Sequence, residues 1–146
     1  MKRILLVALA IVALGLLACG GSSAPKQVHT LHGSISLKLG SPQIVWNMGQ
    51  PCSGTGGYSD MSGGAEVEVR NGDGIIIATG HLNQGIGTDP SSTDLKTATT
   101  CIFSFDIDGV PDTDFYSVEV NHRGGTPFPK SEMESNAWTV ALTLGP

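Results

Sequence analysis

Residues 65–78 read Ala65-Glu66-Val67-Glu68-Val69-Arg70-Asn71-Gly72-Asp73-Gly74-Ile75-Ile76-Ile77-Ala78. Ala65, Val67 and Val69 alternate with Glu66, Glu68 and Arg70, which is the period of a strand with one dry and one wet face. Asn71 to Gly74 then stops the strand, because Asn and Gly tolerate the positive φ of a tight turn. Ile75 to Ala78 returns as an unbroken apolar run and predicts a more deeply buried strand. Residues 65–80 therefore form a β-hairpin.

The same two-residue period recurs on both sides of the hairpin. Downstream, Cys101, Phe103, Phe105 and Ile107 share one face, with Ser104, Asp106 and Asp108 opposite. Tyr116, Val118 and Val120 oppose Phe115, Ser117 and Glu119, and Trp138, Val140, Leu142 and Leu144 alternate with Thr139, Ala141 and Thr143. Upstream, Leu31, Gly33, Ile35, Leu37 and Leu39 alternate with His32, Ser34, Ser36 and Lys38 until Ser41-Pro42 breaks the run. Ile44-Val45-Trp46 is a further short apolar piece. Residues 130–136 predict one helical turn, capped by Ser131 with Glu134 three residues on. Residues 47–64 and 83–100 read as two long Gly-containing loops. About seven strands with almost no helical period predict an all-β, two-sheet sandwich of immunoglobulin-like or transthyretin-like type.

The N-terminus sets the expected address. Lys2 and Arg3 precede an apolar run from Ile4 to Ala18 that is shorter than the roughly 20 residues a spanning helix needs, and small residues precede Cys19. That is the layout of a secretory signal. The ending Leu16-Leu17-Ala18-Cys19 resembles the bacterial lipobox, in which the cysteine is lipidated and becomes the first mature residue. The expected division is a lipoprotein signal peptide over 1–18, a Gly/Ser/Pro-rich tether over 19–27 and a β-sandwich domain over 28–146. The expected location is the outer face of the cell membrane, reached through the lipid.

Thirteen Asp and Glu stand against eight Lys and Arg, a formal net charge of −5. Lys2 and Arg3 fall in the leader, so the mature domain is more acidic still. No basic cluster offers a footing for phosphates, which argues against a nucleic-acid partner. Of the three cysteines, Cys19 is committed to lipid, and Cys52 and Cys101 remain as an even pair in an oxidising compartment. They predict a disulfide.

Three stretches, CSGTGGYSDMSGGAEVEVRNGDGIIIATGHL (52–82), CIFSFDIDGVPDTDFYSVEVNHRG (101–124) and WTVALTLG (138–145), resemble a group of actinobacterial exported proteins. The shared pattern falls on Cys52, Gly57-Tyr58, Asp60, Gly64, Cys101, Tyr116, Arg123 and Trp138. Met61 departs from it, since Ile or Leu is usual there. The group carries no assigned activity, so the resemblance implies a structural module.

Candidate chemistry is sparse. Asp106, Asp108, Asp112 and Asp114 flank one turn and are the best candidates for a hard cation such as calcium, although their spacing is not that of an EF-hand loop. His29 and His32 sit at an odd spacing on a strand and so cannot chelate together, leaving a zinc or copper site dependent on His81 or His122 being brought in by folding. Gly54 to Ser59 leads into a strand rather than a helix, unlike a phosphate-binding loop, and is read as a glycine loop packed down by Tyr58. Neither G-x-S-x-G nor H-E-x-x-H occurs. Tyr58 and Trp46 are candidate partner anchors if exposed and core residues otherwise. Tyr116 is placed to hydrogen-bond back to the preceding turn, as in a tyrosine corner, and Trp138 is expected in the core.

The expectation is a non-catalytic envelope lipoprotein without a cofactor, binding a protein, peptide or glycan through its loops. The alternative is a small-ligand or calcium-binding envelope protein that uses the Asp106–Asp114 turn.

Overall fold

The computed structural model describes residues 27–38, 46–90 and 94–145. The signal peptide 1–18, Cys19 and the tether up to residue 26 lie outside the described residues, as do Leu39, Ser41-Pro42 and Ile44-Val45. In chain order the strands are β1 (Val28–Lys38), β2 (Trp46–Asn47), β3 (Pro51–Cys52), β4 (Glu66–Asn71), β5 (Ile76–His81), β6 (Gly85–Pro90), β7 (Thr97–Pro111), β8 (Phe115–Val120), β9 (Thr126–Pro129) and β10 (Thr139–Leu144). Among the described residues one short α-helix, α1 (Lys130–Ser135), joins β9 to β10.

The strands form two sheets. One has six strands in the order β10-β1-β7-β6-β3, with β2 also paired to β7; the other has four in the order β5-β4-β8-β9. β1 runs antiparallel to β7 and parallel to β10, so the first and last strands lie side by side. The dry faces meet in one core. Leu31, Phe103, Phe105 and Ile107 come from the larger sheet, Val67, Val69, Val118 and Tyr116 from the smaller, and all belong to the same buried cluster. Met133 of α1 is also buried there.

The hairpin over 65–80 is present, with Glu66–Asn71 paired antiparallel to Ile76–His81. Asn71 Oδ1 closes its turn by accepting from the amides of Asp73 (3.1 Å) and Ile75 (2.9 Å). Gly74 supplies the left-handed step, at φ 77°. The returning strand is not deeply buried as its apolar run predicts. Ile75 and Ile76 are 61% and 44% exposed, because β5 is the edge of its sheet and its first residues lie beyond the core.

Residues 83–100 are not one long loop. Gly85 to Pro90 form β6, and β7 begins at Thr97. The strand hides because its inward positions, Gly85 and Gly87, carry no apolar side chain. A Cβ on Gly85 would lie 2.5 Å from Phe103 Cε1 and 2.7 Å from Cys101 Sγ, so the neighbouring strand already fills that space.

Three local expectations are corrected. Pro129, extended at φ −69° and ψ 151°, occupies the N-cap of α1 in place of Ser131; the strand runs straight into the helix, and Lys130 N–H is taken by the carbonyl of Asp114 at 2.9 Å. Trp138 is half-buried against the core rather than within it. It precedes β10 in a left-handed conformation (φ 58°), which takes it out of the strand alternation. Glu68, on the predicted wet face, is 7% exposed.

Candidate functional site

Cys52 and Cys101 form a disulfide with Cα atoms 6.0 Å apart, closing a span of 49 residues. It passes over β6, since Cys52 pairs with Gly85 and Cys101 with Gly87. Gly85 leaves the room for this crossing, since a Cβ there would lie 2.7 Å from both Cys101 Sγ and Cys52 O. The bond is consistent with an oxidising, extracytoplasmic setting, and in the chain-entropy account it stabilises by about 4 kcal/mol.

The bond also anchors the start of the loop over 53–64. Gly54 N–H donates to Met61 O at 2.7 Å, and Met61 N–H donates back to Tyr58 O at 2.9 Å, around a single 3₁₀ turn at Gly56–Tyr58. Gly54 must be glycine, because a side chain would run into the carbonyl of Tyr58. Gly56 supplies positive φ (57°). The loop is therefore a compact knot rather than a phosphate cradle.

Arg123, in the turn between β8 and β9, locks this knot from outside. Its Nε donates to Asp60 Oδ2 at 2.8 Å, and one terminal nitrogen bonds both Asp60 Oδ1 and the carbonyl of Gly57. The guanidinium lies 5.1 Å from the Tyr58 ring centroid, a cation–π distance. Asn121 adds a bond from Nδ2 to Asp60 O at 2.7 Å. The hydrogen bond from Arg123 holds the Asp60 carboxyl below the usual carboxylate range, and Asp60 raises Arg123 in return. Gly57, Tyr58, Asp60 and Arg123, four positions of the resemblance pattern, thus meet in one place. Sequence reasoning gave Arg123 no role, since no local motif links it to a loop so far away.

Both aromatic candidates help build this region. Trp46 Nε1 donates to Ser53 O at 2.9 Å, Tyr58 lies under Arg123, and both are partly buried against the core. Exposed Ser53, Thr55, Ser59 and Asp60 form the outer rim of the loop.

The four aspartates do not converge. Asp106 meets His32 Nδ1 at 2.5 Å, and Asp108 accepts from Thr30 Oγ1 at 2.7 Å. Asp112 takes Lys130 Nζ at 2.5 Å on one oxygen and His29 Nε2 at 3.2 Å on the other. Asp114 contributes its backbone carbonyl to Lys130 N. Lys130 is the main reason that the Asp112 carboxyl titrates below its ordinary range. His29 and His32 go to separate partners, as their spacing predicts, and His29 stacks on Trp138 with ring centroids 3.6 Å apart.

Tyr116 makes the expected corner. Its hydroxyl accepts from Thr113 N–H at 2.9 Å and donates to Pro111 O at 3.4 Å, and burial raises its pKa above that of a free phenol. The edge of its ring meets Trp138 at 5.4 Å.

No family model, curated protein or solved structure matches this chain.

Proposed function

We propose that this chain is a non-catalytic cell-envelope lipoprotein, exported by residues 1–18, held to the outer face of the membrane by lipid on Cys19, and acting as a binding module. The observation that supports the binding reading is the loop over 53–64. It is pinned at its root by Cys52–Cys101 and across its tip by Arg123, yet it keeps an exposed polar rim. Ordering a loop before the partner arrives removes much of the entropic cost of binding. A polar rim with few apolar groups suits a peptide or glycan, or a polar patch on an envelope protein.

We further propose a sandwich of immunoglobulin-like or transthyretin-like type and kinship with the actinobacterial exported group. The single two-sheet core supports the first reading, and the meeting of Gly57, Tyr58, Asp60 and Arg123 supports the second. The calcium alternative has less behind it, because Asp106, Asp108 and Asp112 already engage side chains of their own.

The test is in-cell crosslinking with the full-length lipoprotein, comparing the natural chain with one whose loop over 55–60 is replaced by a short Gly-Ser turn. An envelope component crosslinked to the first and lost from the second supports the reading. An identical crosslinking pattern from both, with the disulfide intact in each, contradicts it.

A further inference from the structure

The outward face of the smaller sheet carries a second cluster that the loop platform does not use. Glu66 and Glu68 are two residues apart on β4, so both side chains leave the sheet on the same side. His122 follows β8 in the turn to β9. One donor atom from each of Glu66, Glu68 and His122 lies within 4.8 Å of the other two. A metal with bonds near 2.1 Å holds its ligand atoms at separations of about 3 to 4 Å, so only small side-chain adjustments separate this group from a closed site.

Two further observations point to a cation. First, Glu68 stands directly opposite Glu119 of β8, and like charges in that position repel. Arg70 is the cation present: it pairs with Glu68 and reaches Glu119 Oε2 with Nε at 3.5 Å. Glu66 makes no ion pair among the described residues, so one guanidinium serves a face with three carboxylates. Glu68 is the more costly member, being 7% exposed; a buried carboxylate needs compensation. Arg70 bonds one of its oxygens, and a carboxylate has lone pairs enough for a second partner.

Second, His122 is held in place rather than hanging from a loose turn. Its neighbours on both sides are tied down, Asn121 by accepting from Glu66 N at 3.2 Å and donating to Asp60 O, and Arg123 by Asp60. The backbone at His122 is left-handed (φ 56°). The same clamp that orders the 53–64 loop therefore positions the imidazole beside the two glutamates.

We propose that Glu66, Glu68 and His122 bind a divalent transition-metal ion of the zinc type, with water completing the coordination. An imidazole nitrogen beside two carboxylate oxygens suits zinc and its neighbours, whereas calcium and magnesium favour all-oxygen sets. His81 pairs across the strands with Glu66 and is the nearest alternative histidine in register.

The experiment uses the full-length lipoprotein in detergent, stripped with a chelator and titrated with Zn²⁺ against a chromogenic competitor. Co²⁺ is then substituted to read coordination from its visible spectrum. The structure predicts one site, weakened at least about tenfold by His122→Ala and by Glu66→Gln, with a cobalt spectrum that H122A abolishes. Both substituted side chains are exposed, and circular dichroism confirms that each variant folds. Binding unaffected by both substitutions, binding lost instead with His29→Ala or His81→Ala, or no competition for Zn²⁺ at all would overturn the proposal.

Discussion

Arg123 grips both carboxylate oxygens of Asp60, a residue 63 positions earlier in the chain. This pair joins the β8–β9 turn to the tip of the 53–64 loop, and the same guanidinium covers Tyr58 and caps Gly57 O. Arg123→Ala is expected to lower stability by about 1 kcal/mol, since a partly exposed pair is screened by solvent even when bidentate. The larger effect is local, with faster amide exchange over residues 54–61 and little change in β1 and β7. Uniform exchange across both regions would show that the clamp is decorative.

The pH dependence of that pair has a definite sign. Arg123 lowers the folded-state pKa of Asp60, so the unfolded chain takes up the proton first as pH falls. The contribution is fully present above the unfolded carboxyl value of about 4 and disappears as pH drops through the lower folded value. Denaturation midpoints of the natural chain and Arg123→Ala should therefore differ at pH 6 and converge once pH has fallen below the lowered folded value of Asp60. A gap that persists in acid would mean that the stabilisation comes from packing on Tyr58 instead.

The disulfide depends on β6 being narrow where the sulfurs cross it. Gly85→Ala puts a methyl group against Phe103, Cys101 Sγ and Cys52 O. It is expected to cost about 1–3 kcal/mol and to speed reduction by dithiothreitol. Replacing both Cys52 and Cys101 with alanine is expected to cost about 2–5 kcal/mol. Chemical denaturation measures both, and a G85A protein as stable as the natural one would remove the steric account.

Much of the sheet architecture was legible because alternation survives wherever inward side chains are apolar, as from Leu31 to Leu37 and from Cys101 to Ile107. It was illegible at β6, where Gly85 and Gly87 leave the inward face without side chains. The apolar run Ile75–Ala78 misled in the other direction, since hydrophobicity does not reveal that a strand is an edge. Cys52 and Cys101 were readable as a pair by elimination. Arg123 was not, because its partners Gly57 and Asp60 come together only through the β4–β8 pairing. The aspartate turn looked like one site in the sequence, but β1 and α1 supply Asp106, Asp108 and Asp112 with separate partners.

Tyr116 provides a spectroscopic check on the corner. Burial raises its folded pKa, so the unfolded state loses the phenolic proton first on the alkaline side. Stability is retained below the free phenol value of about 10 and falls as pH climbs toward the folded value. One of the two tyrosines should therefore ionise late at 295 nm, and Tyr116→Phe should remove that late phase. The same change leaves Thr113 N–H without its acceptor and should cost about 1 kcal/mol. A late phase that survives Y116F would assign the buried phenol to Tyr58.

His29 and Trp138 stack at 3.6 Å and tie the beginning of β1 to the turn before β10. His29→Ala is expected to lose about 1 kcal/mol, with His29→Phe recovering most of it through the ring contact despite losing Asp112. Thermal melts at neutral pH would distinguish these outcomes. Equal losses in H29A and H29F would assign the stabilisation to the Asp112 hydrogen bond.

The most direct measurement is a non-reducing peptide map of the protein taken from its native membrane. The expected result is a mature chain that begins at a diacylglycerol-modified Cys19, together with one crosslinked peptide pair joining Cys52 to Cys101. An unprocessed N-terminus at Met1, or free thiols at residues 52 and 101, would contradict it.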